Sequence, residues 1–431
     1  MPPERILISD GIYLNIINCD KFKTNYISVD FLCNLNPETT ANFALLPFVL
    51  ARGTKNLPDM VTLTKALDML YGSRIYPTVS KTGDVQTFGF MSCPLRSEYA
   101  GGNDLSLEIL KLIGEMINSP YLENGFLSKE YTEREKNIMI DRIKAQVNDK
   151  NHYSVLRCRE VISEGEAYAI PETGTEDQVA IITEKSLTDS LNRAKNTLRI
   201  EIYCVGIFNK EKLTALVKEI FVTSNRKKPA PLVSERSGCK DKVKRVTETQ
   251  PVKQGKLCLG FKTGCYAGEN TLPAYTMFTE ILSGSPISKL FMNVREKRSL
   301  CYYCSALSDI NKGIMIIASG INVKDKDSAE QAIINEIEQC RLGIISDSEL
   351  QAAKKSITNA VKSMYDDAGA IKSWYLKRGT FGQAVEPFKF LEKVLSVTVD
   401  DVRSIARGIT LDTVYFLQGT ETDSEESELY E

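Results

Sequence analysis

The chain has 431 residues, which at roughly 100–200 residues per domain allows two or three domains. With 42% hydrophobic and 26% charged residues, each half can bury a core. The formal net charge of −2 argues against nucleic acid or an acidic membrane surface as a partner, because both call for a clear basic excess.

Met1 to Ile16 holds no basic stretch followed by a long apolar run, so no signal peptide is read there. No apolar run approaches the roughly 20 residues that span a bilayer. A cytoplasmic protein without a membrane segment is expected. Residues 26–33 and 85–91 read as strands, and Asp59 caps a helix with Met60, Leu63, Leu67 and Leu70 on one face. The single histidine, His152, sits in a polar stretch near a helix end and reads as a surface residue. Thr183 caps a helix with Leu187 and Leu191 on one face, and that helix runs into a strand from Leu198 to Gly206. Residues 224–255 are rich in Pro, Ser, Lys and Arg and have linker composition; the basic cluster Arg226, Lys227, Lys228, Lys240, Lys242, Lys244 and Arg245 reads as solvated linker. Further strands are expected at 257–261 and 314–321, and Ser346 with Glu349 forms a capping box ahead of Leu350, Ala353, Ile357, Ala360 and Met364. Thr398 then repeats the Thr183 pattern, with Val402 and Ala406 on one face and a strand from Thr413 to Gly419. Duplication of one α/β unit accounts for the repeat. The run 421–431 is acidic and reads as a solvated tail.

One histidine forbids much chemistry. A helical zinc site needs two His ligands, in HExxH or HxxEH order, and neither can be built. A Ser-His-Asp or Cys-His triad would have to use His152. There is no Asp-Ser-Gly or Asp-Thr-Gly, no GxxxxGK(S/T) phosphate loop and no GxGxxG. The eleven cysteines are scattered, and those in apolar runs, such as Cys33, Cys204 and Cys258, read as buried free thiols. Cys301 and Cys304 form one CxxC, but LCYYCSAL reads as a strand, and residues three apart on a strand point to opposite faces. Neither a redox pair nor half of a zinc site is expected there.

Residues 43–59, FALLPFVLARGTKNLPD, resemble the helix of insulinase-type zinc peptidases that carries HxxEH and runs into an Arg-Gly-Thr-Lys turn, here Arg52-Gly53-Thr54-Lys55. Counted back from that turn, the family's first metal His falls on Ala44, its catalytic Glu on Pro47 and its second His on Phe48. The family's third ligand is a Glu seven residues after a Glu that opens its motif; here Glu135 opens the stretch and the ligand position is Arg142. A one-residue slip would offer Asp141, which without two imidazoles would not hold zinc. The resemblance therefore implies a degenerate metal site and no cofactor. Residues 285–307 resemble the family's C-terminal signature, in which an Arg is followed seven residues later by a Tyr: Arg295 and Tyr302. In active relatives this pair holds the substrate backbone and stabilises the oxyanion. Periodicity alone reads Arg295 as a surface charge and Tyr302 as a half-buried strand residue.

The resemblance covers about residues 1–420. It implies an α+β fold of two homologous α/β sandwich domains, helices packed on mixed sheets, in a clamshell-like insulinase-family arrangement. The expected division is an N-terminal domain 1–223, a linker 224–255, a C-terminal domain 256–420 and a tail 421–431. Some bacterial members of the family work as pairs, one carrying the zinc motif and the other supplying the Arg–Tyr pair. The implied partners are thus a zinc-bearing insulinase-family homologue, forming a heterodimer, and a peptide or protein substrate. Two other readings stay open. One is a structural or peptide-binding protein without proteolytic role; the other is an enzyme with unrelated carboxylate or cysteine chemistry.

Overall fold

The structure is a computed structural model that describes residues 2–236, 238, 242–382 and 384–419. The acidic run 421–431, Cys239 and Lys240 lie outside the described residues. In chain order the elements are β1 (Glu4–Ser9), β2 (Ile12–Asn18), β3 (Tyr26–Asn34), α1 (Thr40–Leu50), α2 (Met60–Met69), β4 (Ile75–Thr82), β5 (Val85–Ser92), α3 (Leu105–Asn118), β6 (Leu122–Glu123), β7 (Phe126–Leu127), α4 (Lys129–Ala145), α5 (Lys150–Ile162), α6 (Glu176–Ala180), α7 (Glu184–Thr197), β8 (Arg199–Gly206) and α8 (Lys210–Phe221). They continue with β9 (Lys244–Thr249), β10 (Gly255–Lys262), α9 (Leu272–Thr279), β11 (Tyr303–Asp309), β12 (Ile314–Ile321), α10 (Lys326–Leu342), α11 (Asp347–Met364), α12 (Ala368–Gly379), α13 (Pro387–Leu395), α14 (Val399–Gly408) and β13 (Thr410–Gln418).

These elements form two compact units that are not contiguous in sequence. The first holds the chain up to Lys144, Ile170–Val233 and Met364–Thr380; the second holds Ala145–Ala169, Ser234–Ser363 and the chain from Phe381 onward. The first unit has a six-stranded sheet in the order β1-β2-β8-β3-β5-β4, with β2 and β8 parallel and the other pairs antiparallel. Its central strand β3 is buried along all but its last residue, with Ile27, Val29, Phe31 and Cys33 in the apolar core and Ser28 and Asp30 alternating with them. Nine of the eleven residues of α1 are buried, so this helix is apolar on every side and lies inside the layer it forms with α7 and the sheet.

The opposite face of that sheet is polar. Glu201, fully buried, accepts from Arg5 Nη1 at 2.8 Å and Arg199 Nε at 2.7 Å, and from Asn15 Nδ2 at 2.8 Å. Helix α12 packs against β8, Lys372 Nζ lies 2.9 Å from the buried Asp30 carboxylate, and Arg199 Nη1 donates to the Thr380 carbonyl at 3.2 Å.

The second unit has a five-stranded sheet in the order β11-β12-β10-β13-β9. Strand for strand this matches β4-β5-β3-β8-β2, down to the single parallel pair, β13 with β9. The duplication read from the Thr183 and Thr398 helices therefore extends to the whole sheet. Both threonines cap as expected, each in a capping box. Helix α5 lies on one face of this sheet, seating Val155, Cys158 and Ile162 against Cys258, Ile314, Ile316, Ala318, Tyr415 and Leu417.

One stretch with linker composition is structured. Lys244–Thr249 forms β9, pairing with β13, and Arg245 makes two bonds to Glu330 at 2.9 and 2.7 Å. An edge strand needs a partner on one side only, so its outward residues stay polar and the apolar signal is weak.

Candidate functional site

The positions that the resemblance aligns with the family's metal site, Ala44, Pro47, Phe48 and Arg142, lie on α1 and α4 of the first unit. Ala44 and Pro47 are buried among apolar neighbours. Pro47 sits inside the helix, where it removes the N–H that would bond the Phe43 carbonyl. Phe48 is half-buried, and the guanidinium of Arg142, exposed on α4, stands 5.1 Å from its ring centroid. The two side chains are thus neighbours in space and meet as a cation over a ring, a contact of about 0.5–1 kcal/mol at an exposed site. Asp141 is exposed. Among the described residues no group of three or more His, Cys, Asp or Glu gathers as a metal site.

The residues that survive from the motif brace these helices. Arg52 pairs with Glu135 on α4, both partly or fully buried. Thr54 Oγ1 donates to Glu115 Oε1 on α3 at 2.6 Å and accepts from the Leu57 N–H at 3.0 Å. Gly53 lies so close to the following turn that a Cβ there would stand 2.4 Å from the Pro58 carbonyl oxygen. Sequence reasoning placed Glu135 only as the start of a motif; its bond to Arg52 had no signal beyond charge complementarity across more than eighty residues.

The second-unit candidates flank a tight turn. Arg295 lies on the π-helical segment Leu290–Glu296, its side chain 43% exposed, with Nε 3.5 Å from Glu296 Oε1 and the guanidinium 4.8 Å from the Phe291 ring. The chain then reverses through Ser299, at φ +52°, where the Ser299 N–H donates to the Arg295 carbonyl at 3.0 Å and the Leu300 N–H to the Val294 carbonyl at 3.1 Å. Tyr302 follows at 60% exposure, held by its N–H on the Gly320 carbonyl at 2.9 Å and by its hydroxyl 3.4 Å from Asn322 Oδ1. Tyr302 precedes β11, so it is an exposed tyrosine and not a half-buried strand residue. Its neighbour Tyr303 makes the opposite choice: its hydroxyl donates to Asn151 Oδ1 of α5 at 2.8 Å, and burial pushes that hydroxyl's pKa well up.

The CxxC reading is corrected by the same boundary. Because β11 begins at Tyr303, Cys301 lies just before the strand and Cys304 within it, so strand alternation does not relate the two. Interaction with Cys304 and, less strongly, the Arg295 charge hold the Cys301 thiol below its usual value, while Cys304 is pushed well up.

A family model described as the Peptidase M16 inactive domain matches residues 182–357, a span that includes Arg295 and Tyr302. Over 414 residues the chain is 30% identical to the "Probable inactive metalloprotease YmfF" of Bacillus subtilis (strain 168), covering 95% of this chain and 96% of that one. This chain belongs to the M16 peptidase family. The resemblance to the insulinase-type family is borne out. The same bacterium supplies a second relative of this M16 chain, the "Uncharacterized zinc protease YmxG", 22% identical over 282 residues, 64% of this chain and 66% of that one. Among solved structures, a conserved protein from Enterococcus faecalis V583 superimposes with a TM-score of 0.89 at 28% identity, covering 97% of this chain and 99% of that one. Matched by an inactive-domain family model and by a probable inactive metalloprotease along nearly its whole length, this M16 chain is a non-catalytic member of the family.

Proposed function

We propose that this chain is the zinc-free subunit of a heterodimeric M16 metallopeptidase, and that it supplies Arg295 and Tyr302 and half of a substrate chamber to a zinc-bearing homologue in the cytoplasm. The observation that carries the reading is a contrast within one chain. The positions aligned with the metal site hold side chains that cannot ligate, yet Arg295 and Tyr302 stand exposed on a braced turn, open to a substrate. The pairing of an inactive relative and a zinc protease relative in one bacterium supports a divided site.

The partner's metal supplies the activated water. The residues of this chain bind and polarise. The Arg295 guanidinium carries rigidly placed donors suited to a peptide carbonyl. The Tyr302 phenol donates to the oxygen on which negative charge develops as that carbonyl becomes tetrahedral. A donor so placed is worth about 3–4 kcal/mol of barrier. Holding two chains together around a peptide calls for an interface on the order of 2,000 Å² or more.

The test is reconstitution. The chain is purified alone and with a zinc-bearing M16 homologue, and bound zinc and peptide cleavage are measured. Zinc and cleavage are expected only in the mixture. Arg295→Ala and Tyr302→Phe are each expected to lower kcat by roughly a hundredfold with assembly intact. Cleavage untouched by either substitution would make the chain a structural or peptide-holding subunit instead.

A further inference from the structure

We propose that the cleft between the β9–β10 loop and the start of α5 is a binding site for an oligophosphate anion, held by Lys150, Lys253 and Lys256.

The cleft has a volume of about 520 Å³, within the roughly 300–1,000 Å³ of small-molecule sites, and lies wholly in the second unit. Residues 148–151, residues 251–254 and Lys256 line it. The sequence builds it from fixed parts. Val252 is buried in the core beneath the loop, and α5 opens on Asp149, whose carboxylate accepts from the Asn151 and His152 N–H groups at 3.1 and 3.0 Å. Lys256 on β10 lies opposite Gly320 of β12, and Gly320 lies opposite Tyr303 of β11. A Cβ at Gly320 would stand 2.6 Å from the Tyr303 ring and 2.8 Å from Gln254 Oε1, so glycine is what lets those two side chains meet there.

The charge in this cleft is unbalanced, although the whole chain carries a net −2. Lys256 is 8% exposed; its Nζ donates to the neutral amide of Gln254 at 2.6 Å and stands 5.6 Å from the Tyr303 ring centroid. Lys150 Nζ donates to a second neutral amide, Gln250 Oε1, at 2.6 Å, and Gln250 is itself held by Glu248 at 2.7 Å. Lys253 is exposed and has no side-chain partner among the described residues. Among those residues no carboxylate comes within 4.0 Å of the three ammoniums. Asp149, the one acid of the lining, is already engaged by the backbone. A buried ammonium without a counter-charge is costly, and an anion entering beside Lys256 offsets that cost. Asn151 accepts from Tyr303 through Oδ1, which leaves its amide NH2 as a further donor. All the cations of the lining are lysines. A lysine meets its ligand as a compact point charge, without the planar fork by which arginine grips a single carboxylate. Point charges grouped in this way favour linked phosphates, which concentrate negative charge in a small volume.

The test is binding to the full chain without peptide or partner, so it fails or succeeds independently of the peptidase reading. Calorimetric titration with pyrophosphate, in about 0.15 M salt and without divalent metal, is expected to show one saturable site per chain. Lys150→Gln, and Lys253→Gln at its exposed position, are each expected to weaken binding by about tenfold or more, the loss of a charge-assisted hydrogen bond. Lys256→Gln, with its fold checked by circular dichroism, is expected to weaken it most. Lys228→Gln, an exposed position outside the cleft, is expected to leave it unchanged. ADP binding more tightly than pyrophosphate, with the same dependence on Lys253, would make the ligand a nucleotide; equal or weaker binding would make it the bare oligophosphate. The proposal is overturned if pyrophosphate and ADP show no saturable binding, if citrate binds as tightly as pyrophosphate, or if Lys228→Gln weakens binding as much as Lys253→Gln.

Discussion

Phe48 and Arg142 come from different helices and touch, a guanidinium 5.1 Å from a ring centroid. The resemblance to insulinase-type peptidases would put an imidazole and a carboxylate of one metal site at these two positions. Ala44 is one helical turn before Phe48 on α1, on the same face. The scaffold around them is braced by Arg52–Glu135 and Thr54–Glu115, so new ligands would be presented on fixed elements. The combined substitutions Ala44→His, Phe48→His and Arg142→Glu are therefore expected to give a chain that retains about one zinc per molecule through dialysis, read by metal analysis, against none for the same chain with Arg142 unchanged. A triple variant that folds and still takes up no zinc would show that these three positions do not converge. The turn Arg52-Gly53-Thr54 was legible in the sequence because its residues are unusual in combination; the partners that hold it, Glu115 and Glu135, were not, because ion pairs across distant segments leave no local pattern.

At the scale of elements the capping residues were the most readable feature. Thr183, Thr398, Asp59 and the Ser346–Glu349 box all cap the helices expected of them. Each cap is a local bond between residues three apart, so the sequence states it directly. In the Thr398 box, hydrogen bonds from the Thr398 side chain and N–H, at 2.7 and 2.9 Å, hold the Asp401 carboxyl below its usual value. The unfolded chain then binds the proton more readily, so this contribution is complete above the ordinary carboxylate pKa of about 3.9 and is lost as pH falls through the lower folded value. Asp401→Asn is expected to cost about 0.5–1 kcal/mol at pH 7, small because the group is solvent-screened, with the two proteins converging towards pH 3 in urea denaturation. Two elements were misread for identifiable reasons. The CxxC was assigned to a strand that starts two residues later, and β9 was hidden by its polar edge. The charged seat of α12 was equally silent. Lys372→Met leaves Asp30 buried with only Ser28 Oγ, at 2.7 Å, to bond it, and is expected to cost about 3–5 kcal/mol in the same assay, largely recovered when Asp30→Asn is added.

At the scale of the molecule, the units are defined by exchange of chain and not by a single cut. The duplicated sheets were foreshadowed by the repeated helix-and-strand pattern, but the exchange was not, because nothing in an amphipathic helix says which sheet it will cover. Ala145–Ala169 belongs with the second unit, where α5 covers an apolar face of Cys258, Ile314, Ile316, Ala318, Tyr415 and Leu417. Uncovering that face exposes side chains each worth about 1.5–3 kcal/mol of burial, which is comparable in sum to the whole stability of a domain. It also strands Tyr303, whose hydroxyl partner Asn151 is on α5, and takes the Tyr153 hydroxyl away from Glu248, which Tyr415 also bonds. A fragment of residues 234–419 expressed alone is thus expected to aggregate or to bind ANS without a cooperative urea transition. The same fragment with Ala145–Ala169 joined through a flexible linker is expected to be soluble, with a sharp transition. If the shorter fragment folds cooperatively by itself, α5 is a passenger on that sheet. If neither folds, the second unit draws its stability from chain outside Ala145–Ala169, and the division between the units must be redrawn.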